Sequence, residues 1–166
     1  MAEHSMKGEA FRILFVCTGN TCRSPMAEVI ARRQAEALGW DHVEILSAGV
    51  GAFEGSDASD GAVRIAAAHG LDLSHHTARP LMKEDATRAD LILAMSPSHL
   101  MRLVELGTGD RAALLTSYAG GHPDDPREIS IPDPIGGSDE EYEQTFLLLE
   151  RLIERVLARL QPVLAR

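Results

Sequence analysis

A cysteine and an arginine close the two ends of one short segment, Cys17-Thr-Gly-Asn-Thr-Cys-Arg23. The spacing suits phosphorus chemistry. Short residues let the backbone curl so that successive amide N–H groups point inward, and such a nest with a helix amino end behind it cradles an anion. The same field favours a thiolate, the nucleophilic form of cysteine. Arg23 offers a planar fork that matches two oxygens of a phosphate. With Cys17 below a bound phosphate and a guanidinium beside it, the segment reads as a phosphoryl-transfer site. Thr18, Gly19, Asn20, Thr21, Cys22 and Ser24 are then the phosphate-binding positions. The plainer reading of the pair alone is a buried structural cysteine and a surface arginine. Gly19, Asn20 and the Ser24-Pro25 step weigh against it. Neither a Walker A pattern nor a dinucleotide fingerprint is present.

Displacing a guanidine or an aryloxide from phosphorus leaves negative charge on the departing atom, and a carboxylic acid should protonate it. Asp133 in IPDPIGG is the best candidate, because Pro132 and Pro134 stiffen its backbone and a long loop can bring it over the cradle. An Asp-Pro turn with no chemistry is the competing reading. Asp124 and Asp125, also near proline, are weaker rivals.

These residues need a scaffold. Residues 12–16, RILFV, read as a buried strand. Ser24 and Pro25 read as the N-cap and first position of a helix running to about residue 38, stopped by Gly39. A strand is expected over 42–47, a helix over 60–69 before Gly70 and a short helix over 83–89. Residues 90–95, DLILAM, form a second apolar strand, and Ser96-Pro97 opens a helix to about 106. A brief strand over 112–116 precedes the irregular stretch 119–137, which is long enough to be functional. Ser138 caps a last helix over 139–160. Its stripe Phe146, Leu149, Ile153, Val156 and Leu160 fits a coiled-coil seam or, more simply, a face packed on a sheet, with Leu147, Leu148 and Leu152 broadening it. Alternating strands and helices predict an α/β fold, a single-domain three-layer sandwich with a central four-stranded parallel sheet flanked by helices. Residues 1–10 read as a disordered tail and 11–166 as the domain. In such sheets ligands bind beyond the carboxyl ends of the strands, where the Cys17 loop and the stretch before residue 137 both lie.

Composition narrows the partners. The net charge is −9, which argues against generic binding to nucleic acid or to anionic membrane. No apolar stretch approaches the ~20 residues needed to cross a bilayer, and no secretory signal is evident, so the cytoplasm is expected. The two cysteines, Cys17 and Cys22, are too close to staple a fold. They are also too few for a structural zinc site, and the adjacent His75 and His76 make a poor pair for one metal. No metal or cofactor is expected.

The chain resembles the low-molecular-weight protein-tyrosine-phosphatase family over residues 11–160. The resemblance is carried by VCTGNTCRSPMAE at 16–28, SAG at 47–49, LSHHTAR at 73–79 and KED at 83–85. DLILAM at 90–95 and DPIGGSDEEYEQT at 133–145 complete it. It implies that Cys17 forms a thiophosphate intermediate and that Arg23 clamps the transferring phosphoryl group. Asp133 would act as acid and then as the base for water, and Ser24 would steady the thiolate. Asn20, Ser47 and His76 would hold the loop in shape. It implies phosphorylated proteins as substrates, and a monomer is expected.

Two positions bear on which phosphorylated residue is taken. Phosphotyrosine branches of the family usually carry Ile or Leu before the second cysteine and aromatic residues after the Asp-Pro. Here those places hold Thr21 and Ile135-Gly136-Gly137. The pattern resembles the bacterial protein-arginine-phosphatase branch, with a phosphotyrosine phosphatase as the alternative. Cys22 is either a small buried filler or a thiol that traps oxidised Cys17 as a disulfide. Arsenate reductase shares the loop pattern but needs further cysteines to relay electrons, and none follows residue 22. A non-catalytic phosphoprotein-binding module is the remaining alternative, and it would not need Cys17.

Overall fold

The computed structural model describes residues 9–120 and 129–164. Most of the expected tail, together with Asp124 and Asp125, lies outside the described residues. Four parallel strands form the sheet: β1 (Phe11–Cys17), β2 (Val43–Gly49), β3 (Leu91–Ala94) and β4 (Ala112–Leu114). They lie in the order β2-β1-β3-β4, with Cys17 opposite Gly49 and Val16 opposite Ala94. The helices are α1 (Arg23–Ala37), α2 (Asp60–Ala68), α3 (Lys83–Arg88), α4 (Pro97–Glu105), α5 (Leu115–Tyr118) and α6 (Asp139–Leu164).

The alternation of side chains along β1 shows why the expected layers form. Ile13, Phe15 and Cys17 face one apolar cluster with α1, α2 and α6, while Leu14 and Val16 face another with α3 and α4. A strand covered on both faces has no polar side, so Ile13 to Val16 read as a continuous apolar run. Gly39 at φ 75° and Gly70 at φ 78° follow α1 and α2, adopting the left-handed backbone that ends a helix.

Four expectations change. Ser24 is not the N-cap of α1: the helix starts at Arg23, Cys22 precedes it, and no side chain caps it. The Ser24 hydroxyl is held by Cys17 and Asn20 instead. The strand expected over 112–116 stops at Leu114, because Leu115 enters the four-residue helix α5. The last helix continues beyond 160 to Leu164, and Pro162 is tolerated in its final turns. Its stripe is a packed face, with Phe146, Leu149, Ile153, Val156 and Leu160 buried, but Leu147 is 44% exposed and does not broaden it. No helix among the described residues is long and apolar enough to cross a membrane.

Candidate active site

The chain leaves β1 toward β2 on one side of the sheet and reaches β3 on the other. The carboxyl ends of β1 and β3 therefore flank the switch point where an open parallel sheet binds ligands. The loop after β1 starts there with Cys17. Its curl is secured from two directions: Val50 and Gly51 donate amides to the carbonyls of Cys17 and Thr18 at 2.9 Å, and Ser59 donates its amide to the Thr21 carbonyl at 2.9 Å. Gly49 permits the approach. A Cβ there would lie 2.4 Å from the Thr18 carbonyl oxygen and 2.8 Å from the Asn20 amide nitrogen.

Asn20 is the keystone. It is fully buried and holds φ 55°, a conformation that asparagine tolerates better than most residues. Its side-chain amide donates to Ser24 Oγ at 2.8 Å and Ser47 Oγ at 2.9 Å, and its Oδ1 accepts the Arg79 amide at 3.0 Å. His76 Nε2 donates to its backbone carbonyl at 2.8 Å. Ser47 passes its hydroxyl hydrogen to Glu28 at 2.6 Å, and Glu28 pairs with Arg32 at 2.7 Å. Arg79 is fixed in turn by Asp85. Every buried side-chain polar atom among the described residues has a partner.

Hydrogen assignment then orients the neighbour of Cys17. The Asn20 amide can only donate to Ser24, so the Ser24 hydroxyl is free to point its hydrogen at Cys17 Sγ, 2.8 Å away. A donor aimed at sulfur stabilises negative charge on it.

Arg23 is buried, with its side chain 8% exposed. It donates to the Ile131 carbonyl at 3.2 Å and reaches Thr18 Oγ1 at 3.4 Å and Asp133 Oδ2 at 3.5 Å. The segment carrying Asp133 is tied to the sheet by the Ile131 amide on the Met95 carbonyl, 2.8 Å. Asp133 also forms the turn weighed against it, because its Oδ1 accepts the Ile135 amide at 3.2 Å. The turn and a role in chemistry coexist, since the second oxygen faces Arg23. Cys17, Thr18, Gly19, Thr21, Cys22, Arg23, Asp133 and Ile135 line one cavity of about 190 Å³. Of the expected residues, Ser24, Asn20, Ser47 and His76 stand behind it as supports rather than in its wall.

Several participants went unnoticed in the sequence. Cys22 Sγ lies 3.1 Å from Ser59 Oγ and 3.4 Å from Tyr142 Oη, and those two hydroxyls are 3.0 Å apart. Burial, reinforced by the bond to Cys22, pushes the Tyr142 hydroxyl up to about 12, so it stays a neutral donor. Both cysteines are buried free thiols. His99 is buried against Thr18, with Nε2 2.8 Å from its hydroxyl. A signal existed for both residues. Tyr142 falls four positions before Phe146 on the apolar stripe of α6, and His99 follows Ser96 by three, within one turn.

The chain is similar to known proteins over most of its length. Residues 12–164 match the family described as low molecular weight phosphotyrosine protein phosphatase. A low molecular weight protein-tyrosine-phosphatase of Streptomyces coelicolor is 37% identical over 158 residues, covering 89% of this chain and 92% of its own length. A protein-arginine-phosphatase of Geobacillus stearothermophilus is 39% identical over 153 residues, covering 91% and 97%. Among solved structures, the arginine phosphatase YwlE in a Cys-to-Ser variant, with its active-site serine phosphorylated, superposes with a TM-score of 0.81. It is 36% identical and covers 91% of this chain and 96% of its own.

Proposed function

Because the chain belongs to the low molecular weight phosphotyrosine protein phosphatase family, and so is a cysteine-dependent phosphoprotein phosphatase, we propose that it removes phosphate from phosphoarginine in proteins. The phosphate sits in the nest of loop amides with Arg23 across two of its oxygens. The Cys17 thiolate, steadied by Ser24, attacks phosphorus. A sulfur–phosphorus bond forms as the phosphorus–nitrogen bond breaks, and Asp133 gives its proton to the departing guanidine nitrogen. Water then attacks the thiophosphate, Asp133 takes a proton back, and inorganic phosphate leaves as the thiolate returns. Asn20, Ser47 and His76 keep the loop in shape between turnovers.

The observation that carries the substrate assignment is Thr21 in the cavity wall. Its hydroxyl offers a guanidinium N–H an acceptor that Ile or Leu would lack, and its shorter branch leaves room for a slim polar group. The test compares turnover of phosphoarginine, phosphotyrosine and phosphoserine peptides by the parent and by Thr21→Ile. The substitution should shift the phosphoarginine to phosphotyrosine ratio toward tyrosine, and an unchanged ratio refutes the assignment.

One observation favours the phosphotyrosine reading. Phe53 is 83% exposed in the loop whose Val50 and Gly51 amides hold the Cys17 and Thr18 carbonyls. An aromatic wall there would contribute about 0.5–1.5 kcal/mol to phenyl recognition. Phe53→Ala should leave phosphoarginine turnover intact. Parent turnover of phosphotyrosine above that of phosphoarginine, lost selectively in Phe53→Ala, would favour the alternative.

A further inference from the structure

The mechanism above needs Arg23 in one plane, and its contacts do not fix that plane equally. Asp133 is 42% exposed and must be free to meet the leaving group. The Ile131 carbonyl holds one nitrogen of the fork. The remaining acceptor is the Thr18 hydroxyl, and it is itself gripped from behind by His99 Nε2 at 2.8 Å. His99 Nδ1 lies 2.9 Å from Ser96 Oγ, a hydroxyl that would be expected to cap α4 but makes no capping bond. A file of side chains thus runs Ser96, His99, Thr18, Arg23, from the end of β3 to the loop after β1.

One assignment of the hydrogens in this file gives every member a partner. Arginine only donates, so Thr18 Oγ1 accepts from Arg23. The Thr18 hydroxyl hydrogen then has His99 Nε2 as its one side-chain acceptor among the described residues. The cation beyond Thr18 favours the same direction, since it attracts a ring lone pair and repels a ring N–H. In that assignment Nδ1 carries the ring hydrogen and donates to Ser96, which can pass its own to Ser98 Oγ at 3.0 Å.

We propose that His99 is a positioning residue for phosphoryl transfer. As the neutral Nδ1–H tautomer it turns the lone pairs of the Thr18 hydroxyl toward Arg23 and so sets the plane of the guanidinium. The inference rests on Arg23 clamping the transferring group. Burial, then the Arg23 charge, with Asp133 opposing, pushes the imidazole down to about 4, so the acceptor nitrogen is bare at neutral pH.

The experiment measures p-nitrophenyl phosphate turnover, with inhibition by vanadate, which adopts the five-coordinate geometry of transfer, and by inorganic phosphate, which does not. His99→Leu should lower kcat by about 10–100-fold with KM within about threefold, because misplacing a catalytic group by up to about 1 Å costs on that order. Vanadate inhibition should weaken by the same factor while phosphate inhibition stays nearly unchanged. His99→Gln, whose amide oxygen can accept from Thr18, should recover part of the loss. The double variant His99→Leu/Thr18→Val should be no worse than Thr18→Val alone. Equal weakening of both anions, or additive losses in the double variant, overturns the proposal. Should His99→Leu fail to fold, nitrogen-15 NMR of the parent decides: a protonated Nε2 overturns it and a bare Nε2 supports it. Arg23→Ala separates the two layers of argument. Full activity there removes the role on which the inference rests, whereas full activity in His99→Leu alone removes only the inference.

Discussion

Gly49→Ala should disable the site without unfolding the protein. The added methyl would stand 2.4 Å from the Thr18 carbonyl oxygen and 2.8 Å from the Asn20 amide nitrogen. Both are backbone atoms of the loop, so no rotamer change relieves the overlap. Contacts of a real Cβ essentially never fall under 3.0 Å, so the loop and the end of β2 must separate by roughly 0.6 Å. Overpacking of this kind costs about 1–3 kcal/mol, a Tm loss of about 2–12 °C for a chain of this size. The catalytic cost should be larger in proportion. A displacement near 1 Å costs about 100-fold, so about tenfold or more is expected in kcat as the loop amides and the Cys17 sulfur lose alignment. Gly51→Ala is the control, because its nearest contacts to Thr18 are 3.9 Å, ordinary packing. The assay is phosphatase turnover beside thermal melting for both variants. Gly49→Ala turnover within twofold of the parent, with Gly51→Ala equal to it, would refute the reasoning.

Asp133→Asn should lose about 100-fold or more on substrates with poor leaving groups and much less on p-nitrophenyl phosphate, and equal losses on both would contradict an acid role. Gly61→Ala places a methyl 2.3 Å from the Tyr142 ring and should cost about 1–3 kcal/mol by chemical denaturation, since the ring must lift off α2 and from Cys22 and Ser59. Stability should also follow the proton balance of His99. The unfolded imidazole binds its proton near 6.5 and the folded one only at about 4, so the unfolded state holds more protons between these values. This contribution is fully present above pH 6.5 and is lost as pH falls toward 4. Denaturation of His99→Leu should accordingly lose less stability than the parent between pH 7 and pH 5, and parallel losses would exclude the effect. Peroxide treatment followed by mass spectrometry should find Cys17 linked to Cys22, and sulfinic or sulfonic acid on Cys17 alone would argue against a trapping role.

The layers of the fold were legible because apolar runs as short as 13–16 and 91–95, each closed by a loop or helix-start signal, suit strands covered on both faces. Element ends at Gly39 and Gly70 were equally plain, each needing a left-handed backbone. The site was legible where chemistry fixes spacing: Cys17, Arg23 and Asp133 line one cavity. What escaped were roles that depend on three-dimensional neighbours. Ser24 carries every local mark of an N-cap, yet its hydroxyl belongs to Cys17, because the helix begins two residues earlier than that mark implies and Asn20 occupies the turn. Ser96 carries the same mark and serves His99. Tyr142 reads as one more apolar position of α6, and only the return of that helix over α2 sets its hydroxyl on Cys22. Short polar side chains bond within their own turn or across the fold with similar ease, and sequence alone does not say which.

The left-handed Asn20 has a consequence for when free energy is spent. Its unfavourable backbone is maintained by serine, histidine and main-chain partners that all exist before any ligand arrives. Ordering of the Cys17 loop is thus completed during folding, and a substrate bound there would meet a receptor with little entropy left to lose. A bare tetrahedral anion without side chain or leaving group should therefore be recognised nearly as readily as the phosphate end of a whole protein, leaving discrimination among targets to the rim.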